Sequence, residues 1–132
     1  MTERYFTVAE ANALLKQVRP LVEQMVEYRR ELGAALEQRE RLGEVTGSNG
    51  GGFHPRVPGQ VDTAVNEAAD GIKRCVEELT ALGIQVKDID TGLVDYPSWR
   101  DDEEVLLCWR LGEGEIAWWH TLDGGFAGRQ PL

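Results

Sequence analysis

The sequence predicts an α+β fold: a long antiparallel helical hairpin, coiled-coil-like, packed on a small antiparallel β-sheet. Three observations predict it. Apolar residues recur at heptad spacing through 14–42 and again through 61–82. A stretch rich in glycine and proline separates the two. Beyond Gly83 the helical period gives way to short aliphatic and aromatic runs of strand character. With 132 residues and 14.7 kDa, the chain suits a single domain spanning 1–132.

The first helical arm is expected over 8–44. Thr7-Val8-Ala9-Glu10 matches the capping box, in which the Thr7 hydroxyl accepts from the Glu10 N–H and the Glu10 carboxylate reaches back. Phe6 stands in the staple position, with only Ala11 as its partner. Leu14, Val18, Leu21, Met25, Tyr28, Leu32, Ala35, Arg39 and Leu42 then alternate in steps of four and three. All but Arg39 are apolar or aromatic, which specifies a seam for another helix. Glu37 and Arg41 form a favourable pair on the outside. Pro20 is expected to kink this helix or to split it into 8–18 and 20–44. Gly33 weakens it slightly.

Residues 45–60 read as a linker, because five glycines and two prolines there do not hold a helix. Phe53 and His54 fall in it and are read as part of a mobile tip. The second helix is expected over 61–82. Val61, Val65, Ala68, Ile72, Cys75, Leu79 and Leu82 keep the heptad without a miss, and Gly83 ends it. Cys75 is then a small seam residue. Asp70-Gly71 is a soft spot in mid-helix.

The two arms differ in length, about 55 Å against about 35 Å at 1.5 Å per residue. The surplus seam has three candidate partners. The Pro20 break folds the first segment back, or the seam meets the C-terminal region, or it meets a second copy in a C2 homodimer.

Residues 84–132 are expected to form the small sheet and a tail. Ile84-Gln85-Val86-Lys87 alternates as a short strand, and Thr91-Gly92 and Pro97 punctuate the stretch after it. Residues 105–111 (VLLCWRL) and 115–121 (EIAWWHT) form a β-hairpin about Gly112-Glu113-Gly114. Its register is open. A two-residue turn pairs Trp109 with Trp118 and sets Leu107 opposite His120. A three-residue loop pairs Cys108 with Trp118 and brings Cys108 and His120 to one face on a diagonal. The tail, 123–132, reads as irregular.

The net charge is −9. Residues 1–45 hold seven basic and eight acidic side chains, so the excess lies beyond them, densest at 88–104. No cluster of Lys and Arg exists to neutralise phosphates, which excludes a nucleic-acid module and an anionic membrane surface. The acidic run reads as a solvated loop, or else as a cation or basic-partner site. No stretch approaches the ~18 apolar residues of a span, and the N-terminus has no apolar signal core. Two cysteines are too few for a disulfide scaffold, so reduced thiols and a cytoplasmic location are expected.

The unusual side chains concentrate in the last third. In the second register Cys108 and His120, joined by Asp95 or Glu113, form a candidate metal set, and zinc accepts that mixture. Neither CxxC, HxxxH nor HExxH is present. The competing reading is a buried cysteine with a histidine hydrogen-bonded at the sheet edge. A Cys108–His120 nucleophile–base pair lacks an evident third member. Gly124-Gly125-Phe126-Ala127-Gly128-Arg129 lacks the strand-and-helix context of a phosphate loop. Arg129 either clamps a ligand's carboxylate or pairs internally with Glu113, stapling the tail to the hairpin turn. Trp99, Trp109, Trp118, Trp119 and Tyr96 form an aromatic cluster that fills the space under the helices or lines a pocket.

Residues 92–98 (GLVDYPS), 107–113 (LCWRLGE), 119–120 (WH) and 125–131 (GFAGRQP), with 6–12 (FTVAEAN) near the start, resemble a prokaryotic family, domain-of-unknown-function family 2203. The resemblance spans nearly the whole chain and assigns no activity, substrate or cofactor to any of these segments.

The residues support two functional readings. In the first the chain is a dimeric interaction or scaffold module, joined through its surplus seam. In the second it binds a metal or small ligand, as a binding protein or as an enzyme, with its site between the β-hairpin, the GLVDYPS loop and the GFAGR tail. There Asp95 and His120 act as ligands or proton carriers, Glu113 as a second carboxylate and Arg129 as an anion clamp, with Trp109 and Trp119 lining the site.

Overall fold

The computed structural model describes residues 4–48 and 58–132. Two helices, α1 (Val8–Ser48) and α2 (Pro58–Ala81), form an antiparallel pair. Five antiparallel strands come next, in sequence order: β1 (Gln85–Asp88), β2 (Leu93–Arg100), β3 (Glu103–Arg110), β4 (Trp118–Thr121) and β5 (Gln130–Pro131). A 3₁₀ turn, Phe126–Gly128, precedes β5. The class is α+β, as expected.

The capping box forms as read. The Glu10 N–H donates to Thr7 Oγ1 at 3.1 Å, and the Thr7 N–H donates to Glu10 Oε1 at 2.9 Å. Pro20 does not split the helix, because α1 runs through it without a break. Pro20 is exposed, while Val18 and Val22 on either side are fully buried, so packing holds both flanking turns in register. The linker expectation for 45–60 is corrected at both ends. Residues 45–48 continue α1 and residues 58–60 begin α2. The loop expectation for the stretch between, with Phe53 and His54, lies outside the described residues.

The two helices meet closely at Gly71, where an added Cβ would lie 2.6 Å from the Tyr28 ring. That glycine is therefore a packing requirement more than a soft spot. Arg39 faces Asp62 at 3.8 Å farther along the arm. With Tyr28 beside Gly71 and Arg39 beside Asp62, α2 runs out near Pro20, and the first turns of α1 need another partner. The sheet supplies it. Around that end α1 buries a broad stripe of Ala11, Leu14, Leu15, Val18, Val22, Met25 and Val26. These residues share one core with Cys75, Leu79 and Ile84 and with Val94, Tyr96, Leu107, Trp109 and Ile116. Farther along the arm only Ala35 and Leu42 of the described α1 residues are buried, which is the narrow seam of a helix facing one partner.

The sheet departs from expectation at β2. The segment read as the GLVDYPS loop is a strand, buried from Val94 to Ser98. Pro97 is tolerated there because its carbonyl accepts from the Phe6 N–H at 2.8 Å. A strand residue's N and O point to the same side, so the missing Pro97 N–H costs β3 no ladder bond. Ser98 Oγ donates to the Phe6 carbonyl at 2.5 Å, so the N-terminal segment docks along β2. The β2–β3 turn is Asp101-Asp102, both with positive φ (51° and 65°), as a two-residue primed turn requires.

Cys108 pairs with Trp118 and Leu106 with His120, the three-residue register of the two left open. The second strand of that hairpin is shorter than expected, beginning at Trp118 instead of Glu115. Residues before it leave the ladder to bury Ile116, whose N–H donates to Asn12 Oδ1 at 2.7 Å. The tail is not wholly irregular, since β5 pairs with β4 through Trp118↔Pro131 and Trp119↔Gln130.

Candidate functional site

The sheet has two faces of different chemistry. Alternation along the paired strands puts Val94, Tyr96, Leu107, Trp109 and Trp119 on the face covered by the helices. It puts Asp95, Pro97, Leu106, Cys108, Trp118 and His120 on the other. Asp95 is directly opposite Cys108 across β2–β3, and His120 lies one diagonal away on β4.

Although α1 and α2 pack on the other face, Asp95, Cys108 and His120 are 1%, 0% and 2% exposed. One ligand atom from each lies within 4.8 Å of the others, and this is the one such group of three among the described residues. His120 Nε2 is 3.0 Å from Asp95 Oδ2. His120 Nδ1 is 2.6 Å from the Thr121 carbonyl oxygen. A carbonyl only accepts, so Nδ1 carries a proton, and the Nε2–Oδ2 contact holds a second proton that a metal bound at Nε2 would displace. Asp95 Oδ1 is buried with no hydrogen-bond partner. Burial, reinforced by the neighbouring Asp95, pushes the Cys108 thiol up to about 12, while Arg129 pulls in the opposite direction.

This arrangement does not make Cys108 a nucleophile with His120 as its base. Both ring nitrogens are engaged elsewhere, one on Asp95 and one on the Thr121 carbonyl. It does suit a metal. Carboxylate, thiolate and imidazole are all zinc donors. Around a tetrahedral zinc such donor atoms stand about 3.3–3.6 Å apart, and the three here lie within 4.8 Å of one another. A histidine ligand whose other N–H is held by a backbone carbonyl is the usual orienting arrangement.

Glu113 does not join the group. It is forked to Arg129, with Nη2 to Oε2 at 2.6 Å and Nη1 to Oε1 at 3.2 Å, the internal pair that staples the tail. Glu113 Oε1 also accepts from the Arg110 N–H at 2.8 Å. Burial raises the Glu113 carboxyl, but Arg129 and the Arg110 N–H outweigh it, so its pKa falls below the ordinary value. Arg129 is therefore not a free anion clamp. Its guanidinium lies over the rings of Trp118 at 4.7 Å and Phe126 at 4.5 Å, with Nη1 3.9 Å from Cys108 Sγ.

Trp109 and Trp119 lie on the opposite face from the donors. Trp109 is fully buried in the helix-covered core, where its Nε1 donates to the Gly114 carbonyl at 2.9 Å. The Arg100 guanidinium lies 4.7 Å from the Trp119 ring centre. Sequence reasoning missed the Thr121 carbonyl, which has no side-chain signature, and the role of Trp118 under Arg129. The acidic run is dispersed. Asp88 holds a turn through Thr91, Asp90 pairs with Arg29 at 2.9 Å, and Glu104 accepts from the Tyr5 hydroxyl.

The chain belongs to the family of uncharacterized conserved proteins DUF2203, whose model matches residues 4–132. No curated protein and no solved structure matches the chain.

Proposed function

We propose that the chain is a metal-binding protein holding one divalent transition metal, zinc by donor type, on Asp95, Cys108 and His120. The observation that carries this is Asp95 Oδ1, a buried carboxylate oxygen with no partner beside a thiol and an oriented imidazole. A buried, unpartnered carboxylate oxygen is costly, and a bound cation removes the cost. Asp95 and a Cys108 thiolate together balance a divalent charge, and the nearby Arg129 is already neutralised by Glu113. Three protein donors leave a fourth coordination position for water or a small ligand.

The scaffold reading rests on a surplus seam in the first helix. That surplus meets the sheet of the same chain, so the metal reading takes precedence.

The test is titration of metal-free protein with Co²⁺. Wild type should develop a sulfur-to-cobalt charge-transfer band that Zn²⁺ abolishes, and Cys108→Ser should lack it. His120→Ala and Asp95→Ala should weaken binding. A wild-type spectrum identical to that of Cys108→Ser would end the proposal.

A further inference from the structure

We infer that residues 122–129 form a flap over the Cys108 site, latched by the Arg129–Glu113 fork, and that the latch governs access to the site. The inference rests on the metal reading only for metal exchange; access to the thiol is independent of it.

The flap is placed by its contacts. Its N-terminal end turns back on β4, where a Cβ added to Gly124 would lie 2.9 Å from Thr121 Oγ1 and 3.6 Å from His120 Cβ. Its C-terminal end brings Arg129 Nη1 to 3.9 Å from Cys108 Sγ. The helices occupy the opposite face, so the chain beyond β4 is what turns back over this one. Both ends are anchored in the sheet, by β4 itself and by β5 with the Leu132 N–H on the Ala117 carbonyl at 3.0 Å.

Between its anchors the flap is thinly held. Its 3₁₀ turn contains no buried residue, and Leu122, Asp123, Gly124, Phe126, Ala127 and Gly128 are exposed. Segments with so few buried contacts open locally far more easily than the whole fold. Two contacts stand out: the Arg110 guanidinium lies 4.9 Å from the Phe126 ring centre, and the Arg129 side chain is 10% exposed, forked to Glu113 and set against the Trp118 and Phe126 rings. Glu113 belongs to the β3–β4 connection, so this ion pair joins the flap to a separate part of the chain. Breaking it should release the flap without dissolving the core.

The test is site-resolved labelling of zinc-free protein by iodoacetamide, read by peptide mass spectrometry. Cys75, in the helix-covered core, is the internal control. Arg129→Gln and Glu113→Gln should each label Cys108 about tenfold faster than wild type, with Cys75 unchanged. Arg129→Lys, which keeps the charge but loses the fork, should fall between and serves if Arg129→Gln does not fold. On zinc-loaded protein the same variants should release metal to a chelator faster by a similar factor. Wild-type labelling rates in both glutamine variants, or equal acceleration at Cys75 and Cys108, would overturn the latch. If wild type holds no zinc but Cys108 still labels faster in the variants, the metal reading fails and the flap stands.

Discussion

Asp95 and Cys108 face each other across the β2–β3 pair, on the side of the sheet turned away from the helices. This cross-strand pair brings a carboxylate and a thiol together in a place shielded from water. An apolar pair there would cover the sheet at no desolvation cost. His120 on the neighbouring strand meets this pair through Asp95 Oδ2 at 3.0 Å, so the three side chains form one buried group.

Zinc should stabilise the folded chain. A ligand that binds only the native state adds about 2.7 kcal/mol at a hundredfold excess over its Kd. Thermal unfolding of wild type should therefore shift upward with added zinc. Asp95→Asn and His120→Gln should show a shift near zero. Equal zinc shifts in all three would contradict the assignment.

Gly71→Ala should destabilise the protein, although alanine favours helices by up to about 1 kcal/mol over glycine. The new methyl would lie 2.6 Å from the Tyr28 ring, and both helices would have to part. A net loss of about 1–2 kcal/mol is expected from such overpacking. Urea unfolding midpoints check it, and a stabilised variant would mean that the helices do not meet there.

Ser98→Ala should cost about 1–2 kcal/mol by leaving the buried Phe6 carbonyl short of a donor. Calorimetry on the variant measures this. No change in stability would show that the N-terminal segment is not docked through Ser98.

The Glu113–Arg129 fork should weaken in acid. The Glu113 carboxyl lies below its ordinary value of 4.5, so its contribution is complete above that pH. It fades as the pH falls through the lower folded-state pKa. The stability gap between wild type and Glu113→Gln should therefore be constant near neutrality and shrink below about pH 4.5. Parallel unfolding curves across pH test it, and a gap that widens in acid would reverse the sign.

The helices are legible in the sequence because their signals are local. Thr7 and Glu10 cap α1, and the heptad from Val61 to Leu82 marks α2. Pro20 misleads because its cost is offset by the buried valines on either side. β2 is hidden by Pro97, which is excused by an edge contact with Phe6, 91 positions earlier. The Asp101-Asp102 turn lacks the glycine that usually announces a primed hairpin.

The site is legible as residue types, since Asp95, Cys108 and His120 all stand out by their chemistry. Their convergence is not, because one residue of register between β3 and β4 decides which face His120 occupies. Ile116 carries part of that decision by leaving the ladder to reach α1, a tertiary contact with no local signature. The tryptophans divide by parity, Trp118 to the donor face and Trp109 and Trp119 to the core.

The most direct test is the metal content of untagged protein purified without chelator, measured by elemental mass spectrometry beside Cys108→Ser and His120→Ala. About one zinc or other divalent transition metal per wild-type chain, lost in both variants, is the expected result. Metal-free wild type that also fails to take up added Zn²⁺ would contradict a metal centre at Asp95, Cys108 and His120.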